Sequence, residues 1–317
     1  MAQSLLHPWI FERTPVAKPW AGHALARLYP ALKVPYGTGE CVEIADNEDF
    51  SPVVTSGPAA GQTINALAKE LGTKEVFGKH KSLPLMLKLI DTAAPLSVQV
   101  HPGDQDKNGK IVSRGKTEAW LILEASHGAS IWQGMKTGVS NSEFWTAMRS
   151  NQPDAVLNRR EVKRGDCLLS PAGMVHAIGA GIALVELQQN VNTTFRINDW
   201  GRRGNRELHL DEAKHSARLE LAPPPVANAL TADDVELCSS RHFVWRSIRA
   251  SQPLELMFDS FRILTCLEGK AELTWRVGKA KERMSLEAPS SVFLPAGLKI
   301  VKIEPEEQCW LLEAKAS

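Results

Sequence analysis

In the run Leu96-Ser97-Val98-Gln99-Val100-His101, successive side chains of an extended chain point to opposite faces. Leu96, Val98 and Val100 therefore share one face, and Ser97, Gln99 and His101 share the other. Gln99 and His101 then stand side by side, about 7 Å apart at Cα, close enough for an amide oxygen and an imidazole nitrogen to converge on one ion. Pro102-Gly103 ends the strand at once and leaves His101 near a sheet end. Glu118 opens a second strand in Gly115-Lys116-Thr117-Glu118-Ala119-Trp120, and His176 follows a Pro171-Ala172-Gly173 turn. Taken singly, each has a structural reading as a hydrogen-bonded side chain. Together they form a mixed N/O donor set suited to Zn²⁺, with Fe, Mn or Co as rivals and an open position for water or substrate.

These residues need a scaffold, and the chain reads as mainly β. Short apolar runs of strand length recur between Gly and Pro: Leu85 to Ile90, Leu96 to His101, Trp120 to Glu124, Cys167 to Ser170 and Ile182 to Leu187. Four more follow at Phe261 to Cys266, Ala271 to Trp275, Ser291 to Leu294 and Cys309 to Leu312. Many short strands with turn signals between them predict sandwiches or barrels. Helices are few. Thr63 caps a predicted helix over Ile64 to Leu71 with Gly72 as its stop, and Ser140-x-x-Glu143 has the capping-box form. A third helix is expected around Leu210 to Leu219, before the Pro223-Pro224-Pro225 break.

The chain also resembles itself. Gly165 through Pro171-Ala172-Gly173 to His176 aligns with Pro289 through Pro295-Ala296-Gly297 to Ile300. Leu121 to Glu124 has a partner in Leu264 to Glu268. We expect two cupin-like (jelly-roll) β-barrel domains: residues 1–222 with the metal ligands and helical segments, and residues 223–317 without ligands, since Ile300 replaces His176.

The 317 residues carry Lys+Arg 37 against Asp+Glu 36, a formal charge of +1 that makes no case for nucleic acid or an anionic membrane. Cysteines 41, 167, 238, 266 and 309 include no C-x-x-C pair, so a disulfide framework or zinc ribbon is not expected. There is no apolar signal region and no run of apolar residues long enough to cross a membrane. The expectation is a soluble cytoplasmic protein, monomer or homodimer.

The spacing Gly165-x5-Pro171-x-Gly173-x2-His176 resembles the second signature of the cupins. The phrases Pro84 to Asp91, Leu96 to Pro102, Gly115 to Glu118, Pro171 to Ile178, Glu186 to Asn190 and Thr193 to Trp200 together resemble the type I mannose-6-phosphate isomerases, in their short bacterial form. Gly39 to Asp46 extends the match toward the N-terminus, and the C-terminal third matches only in pattern. The resemblance implies one Zn²⁺ per chain held by Gln99, His101, Glu118 and His176. It also implies an active-site arginine at Arg196, and pocket residues at Glu40, Lys88, Lys116 and Glu186. This chain departs from the family's usual pattern at Asn192 and Phe195, where an acid and a tyrosine are common. It departs also at Val42, in place of a Trp, and at Ala21, in place of a glycine.

The implied reaction interconverts mannose 6-phosphate and fructose 6-phosphate by moving a proton between C1 and C2 through an enediol. It needs a base, stabilisation of charge on the two oxygens, and a phosphate anchor. Lys88, Lys116 and Glu186 compete for the base, with Lys88 favoured by its apolar sequence neighbours. Lys88 could instead pair with Asp91. Arg196 offers a planar fork for phosphate or an enediolate oxygen, and Arg202, Arg203 and Arg206 could add attraction. Two other classes stay open: a non-catalytic metal-holding cupin that senses a sugar phosphate, and an iron-dependent cupin dioxygenase.

Overall fold

A strand that is apolar on both sides has to be covered on both sides. Leu85–Thr92, Ile182–Gln189 and the first six residues of Glu118–Ala125 are buried throughout, and they lie at the centre of the molecule. The computed structural model describes residues 5–107, 110–202 and 206–317. The protein is mainly β and cupin-like, 43% strand against 15% helix.

The first seven-stranded sheet runs, in spatial order, Thr14–Ala17, Thr38–Ile44, Leu85–Thr92, Ile182–Gln189, Glu118–Ala125, Asp166–Ser170 and Ala227–Asn228. A five-stranded sheet runs Phe195–Asn198, Val98–Val100, His176–Ile178, Ser130–Met135 and Leu157–Glu161. Alternation sorts the side chains. Ile90, Trp120, Ile122 and Leu184 face inward and pack with Ile131 and Ile178 of the five-stranded sheet. Leu85, Leu87, Leu89, Leu121 and Val185 face outward, where they join Phe243, Trp245, Ile263 and Leu312 of the C-terminal half. Each such side chain contributes about 1.5–3 kcal/mol by leaving water, so the outer face of one half is glued to the other.

The repeat seen in the sequence appears in the strand order. Asp166–Ser170 pairs antiparallel with Glu118–Ala125, as Ser290–Leu294 pairs with Arg262–Glu268. Past the Pro-Ala-Gly turns, His176–Ile178 pairs with Ser130–Met135, as Ile300–Pro305 pairs with Lys270–Val277. Ile182–Gln189 and Cys309–Ala316 occupy matching places beside them. Registers then give the counterparts of the expected ligands. Gln99 opposite His176 corresponds to Met257 opposite Ile300, and Glu118 opposite Ser170 corresponds to Arg262 opposite Leu294. Of the four counterparts, only Asp259, two residues after Met257 as His101 is two after Gln99, is of ligand type.

Two of the three expected helices form as the local signals predict, and the third is shorter. The Thr63 hydroxyl accepts from Ala66 N–H at 3.2 Å at the start of Ile64–Leu71. Ser140 and Glu143 form a reciprocal capping box on Asn141–Arg149. The helix expected to reach Leu219 stops at Ser216, because Ala217 is extended and Arg218 N–H donates to the Gly173 carbonyl at 2.9 Å instead. The strand expected over Leu96 to His101 is regular only over Val98–Val100. The His101 carbonyl there accepts from Gly173 N–H, outside the ladder. No helix among the described residues is long and apolar enough to cross a membrane.

Candidate metal centre and substrate pocket

His101, Glu118 and His176 come from three separate strands or strand ends, and their ligand-type atoms all lie within 4.8 Å of one another. Each is buried, at 2%, 1% and 0% exposure. His176 Nε2 is 3.0 Å from Glu118 Oε1, and His101 Nε2 is 3.3 Å from Oε2. The far nitrogens fix the tautomers. His101 Nδ1–H donates to the Thr193 carbonyl and His176 Nδ1–H to the Met174 carbonyl, both at 2.9 Å. A carbonyl only accepts, so in each ring Nδ1 carries a proton and Nε2 is the atom that faces the carboxylate; Lys116 Nζ also lies 3.3 Å from His101 Nε2. Burial lowers the His101 pKa to about 4, which keeps that ring neutral near pH 7.

Glu118 has no hydrogen-bond donor on either oxygen. Lys116 Nζ lies 2.9 Å from Oε2 as an ion pair, out of hydrogen-bond alignment. Burial pushes the Glu118 carboxyl up, and the Lys116 ammonium beside it opposes burial and favours the anion. A buried anion flanked by two imidazole nitrogens needs positive charge close by; Lys116 supplies part of it, and the three converging ligand-type side chains have the chemistry to hold a divalent cation as well. Gln99 completes the ring of polar groups: its amide nitrogen is 3.2 Å from His176 Nε2. Turning the amide over, a change that leaves its shape nearly the same, directs the oxygen there. The donor set fits a divalent metal.

Beside the cluster, inward-facing residues of the central strands form a second layer. Register places Glu186 opposite Lys88 on one side and Trp120 on the other. Trp120 Nε1–H donates to Glu186 at 3.1 Å. Lys88 Nζ is 3.4 Å from Glu40 and 3.9 Å from Glu186, and Lys18 Nζ is 3.0 Å from Glu40. Burial, opposed by the stronger pull of Lys88 and Lys18, leaves Glu40 at about 2. Glu186 behaves oppositely: burial and the Glu118 charge raise its pKa against Lys116 and Lys88. Burial would depress Lys116, but Glu118 and Glu186 raise it, so it stays a cation. The Lys88–Asp91 pairing open from the sequence does not form. Asp91 lies on the opposite face of the strand and accepts from Leu25 N–H at 2.7 Å. For the same reason Leu85, Leu87 and Leu89 point away from Lys88.

A cavity of about 190 Å³ opens over this layer, with Gln99 and Lys116 in its wall. Glu40, Lys88, Glu186 and Arg196, each a pocket residue expected from the sequence, all line it. Among the described residues five cationic side chains face it against two carboxylates, a surplus that suits an anion. Arg196 is held by a bond to the Glu207 carbonyl at 2.6 Å, while its Nε has no partner. Lys18 and Thr194 also belong to the wall, and sequence reasoning misses both. Lys18 arrives just after the edge strand Thr14–Ala17, and its sequence surroundings carry no site signal. Arg206 reaches the cavity while bonding Asp199, whereas Arg202 is spent on Asp199 and the Pro95 carbonyl. Arg203 lies outside the described residues. Asn192 lines the cavity and donates to Asp49 at 3.1 Å.

No family model matches the chain. Individual proteins do. Mannose-6-phosphate isomerase ManA of Bacillus subtilis is 29% identical over an alignment of 325 residues, covering 95% of this chain and 97% of the relative. The probable mannose-6-phosphate isomerase GmuF of the same organism is 32% identical over 219 residues, 66% of this chain and 68% of the relative. The crystal structure of the mannose 6-phosphate isomerase from Bacillus subtilis superposes with a TM-score of 0.81 at 27% identity, covering 97% of this chain and 99% of that one. The structure of a putative mannosephosphate isomerase from Archaeoglobus fulgidus shares the fold, with a TM-score of 0.79 at 20% identity over 99% of both chains. With likeness over nearly the full length in both sequence and fold, the chain belongs to the mannose-6-phosphate isomerase family.

Proposed function

We propose that the protein is a zinc-dependent isomerase that interconverts mannose 6-phosphate and fructose 6-phosphate. The observation that carries the reading is the convergence of buried His101, Glu118 and His176 within 4.8 Å, with no hydrogen-bond donor on the Glu118 carboxylate, beneath a cavity with surplus positive charge. His101, Glu118 and His176, with the Gln99 oxygen, would hold the ion. A bound Zn²⁺ supplies Lewis acidity toward a sugar oxygen.

In the forward direction the C2 proton of the aldose leaves, the C1 carbonyl oxygen gains a proton, and an enediol forms. A proton then returns at C1 while the O2 hydroxyl proton leaves, giving the ketose. Glu186 is the proton carrier in this reading. A raised carboxyl pKa brings its proton affinity closer to neutral pH, where a general base works best, and it lines the cavity. Lys116, kept cationic, offsets the charge of Glu118 and Glu186. Lys88 is engaged with Glu40 and holds Glu186 from its other side, so we assign it a positioning role. Arg196 anchors the phosphate, with Lys18 and Arg206 adding attraction. Residues 1–222 would form the catalytic unit and 223–317 a unit without a metal.

A coupled assay on mannose 6-phosphate tests the reading. Activity should vanish with EDTA, return with Zn²⁺, and be lost with the metal in His101→Ala. Binding of the sugar phosphate without turnover in the zinc-loaded protein would instead favour a sensor. Iron on metal analysis with oxygen consumption would mark a dioxygenase.

A further inference from the structure

Thr117 stands between Lys116 and Glu118, and around it the three segments that carry His101, Glu118 and His176 are tied together. Its hydroxyl accepts from Ala172 N–H at 3.2 Å, in the turn that leads to His176. Beside it, Lys116 N–H donates to the carbonyl of Pro102, the residue after His101, at 3.0 Å. The ladder between Ile182–Gln189 and Glu118–Ala125 stops one residue short of Thr117, with Gln188 opposite Glu118 as its last pair. Beyond that pair the buried Gln189 takes over. Its N–H donates to the Thr117 carbonyl at 3.0 Å, and its side-chain Oε1 accepts from Thr117 N–H at 2.9 Å. In a regular antiparallel pair that acceptor would be the Gln189 carbonyl. Here a side-chain amide carries the sheet one step further, to the residue before Glu118.

The other end of the amide is fixed as well. Gln189 Nε2–H donates to Asp104 Oδ1 at 3.0 Å, and the same oxygen accepts from Gly115 N–H at 2.6 Å. A carboxylate only accepts and a backbone N–H only donates, so one orientation of the Gln189 amide satisfies both partners. Asp104 and Gly115 form the neck of the loop from His101 to Glu118, and the hairpin of Gln105–Lys107 with Lys110–Ser113 lies beyond it. Among the described residues, neither Gln189 nor Asp104 is in the wall of the cavity over the metal centre, and both border a separate cavity of about 410 Å³. Their route to the centre is the bonded chain through Thr117.

We propose that Gln189 and Asp104 are a positioning pair for the metal centre, holding Lys116 and Glu118 where His101 and His176 meet them. This rests on the reading of His101, Glu118 and His176 as the holders of a divalent ion. The test is the Zn²⁺ affinity of the full-length apoprotein, by competition with a chelator, beside the denaturant midpoint of the same apoprotein. Gln189→Leu and Asp104→Ala should each weaken Zn²⁺ binding about tenfold or more, as loss of a contact behind a ligand does. The double variant should bind no more weakly than the weaker single one, because both substitutions break one chain of bonds. Asp104→Asn keeps an acceptor for Gly115 N–H and Gln189, and its affinity should lie closer to wild type than to Asp104→Ala. Asn190→Ala separates positioning from general destabilisation. It strips a buried amide just past the same strand, where Nδ2 donates to the Asp46 and Leu83 carbonyls at 2.7 and 3.1 Å, away from the loop. It should lower the midpoint and leave Zn²⁺ affinity unchanged. Wild-type affinity in Gln189→Leu or Asp104→Ala, losses that multiply in the double variant, or an equal loss in Asn190→Ala would overturn the proposal. A wild type with no Zn²⁺ binding that His101→Ala abolishes would overturn the metal reading itself, and the pair with it. Should Gln189→Leu fail to fold, Asp104→Ala against Asp104→Asn decides.

Discussion

Lys88 and Glu186 face each other across neighbouring strands, yet their environments pull them apart. Lys88 sits against the strongly acidic Glu40, while Glu186 shares its surroundings with Glu118, a like charge that favours its protonated form. Glu186→Gln keeps the shape and removes the proposed proton carrier. Its kcat should fall by about 10²–10⁴-fold, with metal content unchanged by elemental analysis. In the wild type the acidic limb of the kcat profile should lie above the ordinary carboxyl range, because the base must be unprotonated and its pKa is raised. A limb at the ordinary value would assign that proton elsewhere.

Glu40 gives the opposite sign. Its folded pKa of about 2 lies below its ordinary 4.5, so the stability it contributes is full above 4.5 and is lost as pH falls toward 2. Denaturant titrations across that window should show wild type losing stability relative to Glu40→Gln, by up to about 3 kcal/mol from a shift of that size.

At the scale of elements, the site depends on where strands begin. Glu118 is the first residue of its strand, Gln99 lies opposite His176, and Arg196 lies opposite Gln99. The loop from His101 to Glu118 folds back on itself at Gly115. A Cβ there would meet Gly103 C and Asp104 N at 2.5 Å and Pro102 O at 2.7 Å, all backbone atoms that cannot swing aside. Gly115→Ala should therefore shift Lys116 and Glu118 and weaken metal affinity at least as much as loss of an outer contact to a ligand, about 10–100-fold. Competition with a chelator measures it. An unchanged affinity would show that the loop repacks freely.

For the whole molecule, the two halves repeat one strand order while only the first keeps the full set of ligand-type side chains. Ile300→His restores an imidazole at the position of His176, but Met257 and Arg262 stand where Gln99 and Glu118 would be needed. It should add no second equivalent of bound Zn²⁺ by elemental analysis, and a second equivalent would show that the surrounding side chains rearrange. In the shared apolar layer Leu87 and Val185 meet Trp245 and Leu312. Through that layer the second half covers the back of the sheet whose front holds the candidate metal centre.

The ligand-type residues were legible in sequence because alternation along a strand and a Pro-Ala-Gly turn are local facts, and so were the capped helices at Thr63 and Ser140. The repeat was legible for the same reason, since each copy is a run of neighbours. Which residue pairs with which was not. Lys88 has leucines on both sides in sequence, and only the sheet shows that they face the other way while Glu40 and Glu186 face the lysine. Lys18 has no local mark at all, and its part in the pocket follows from an edge strand laid beside Thr38–Ile44. Chemistry-bearing residue types are written along the chain. Their charges and partners are set by register between strands far apart in it, which is a property of the assembled sheet.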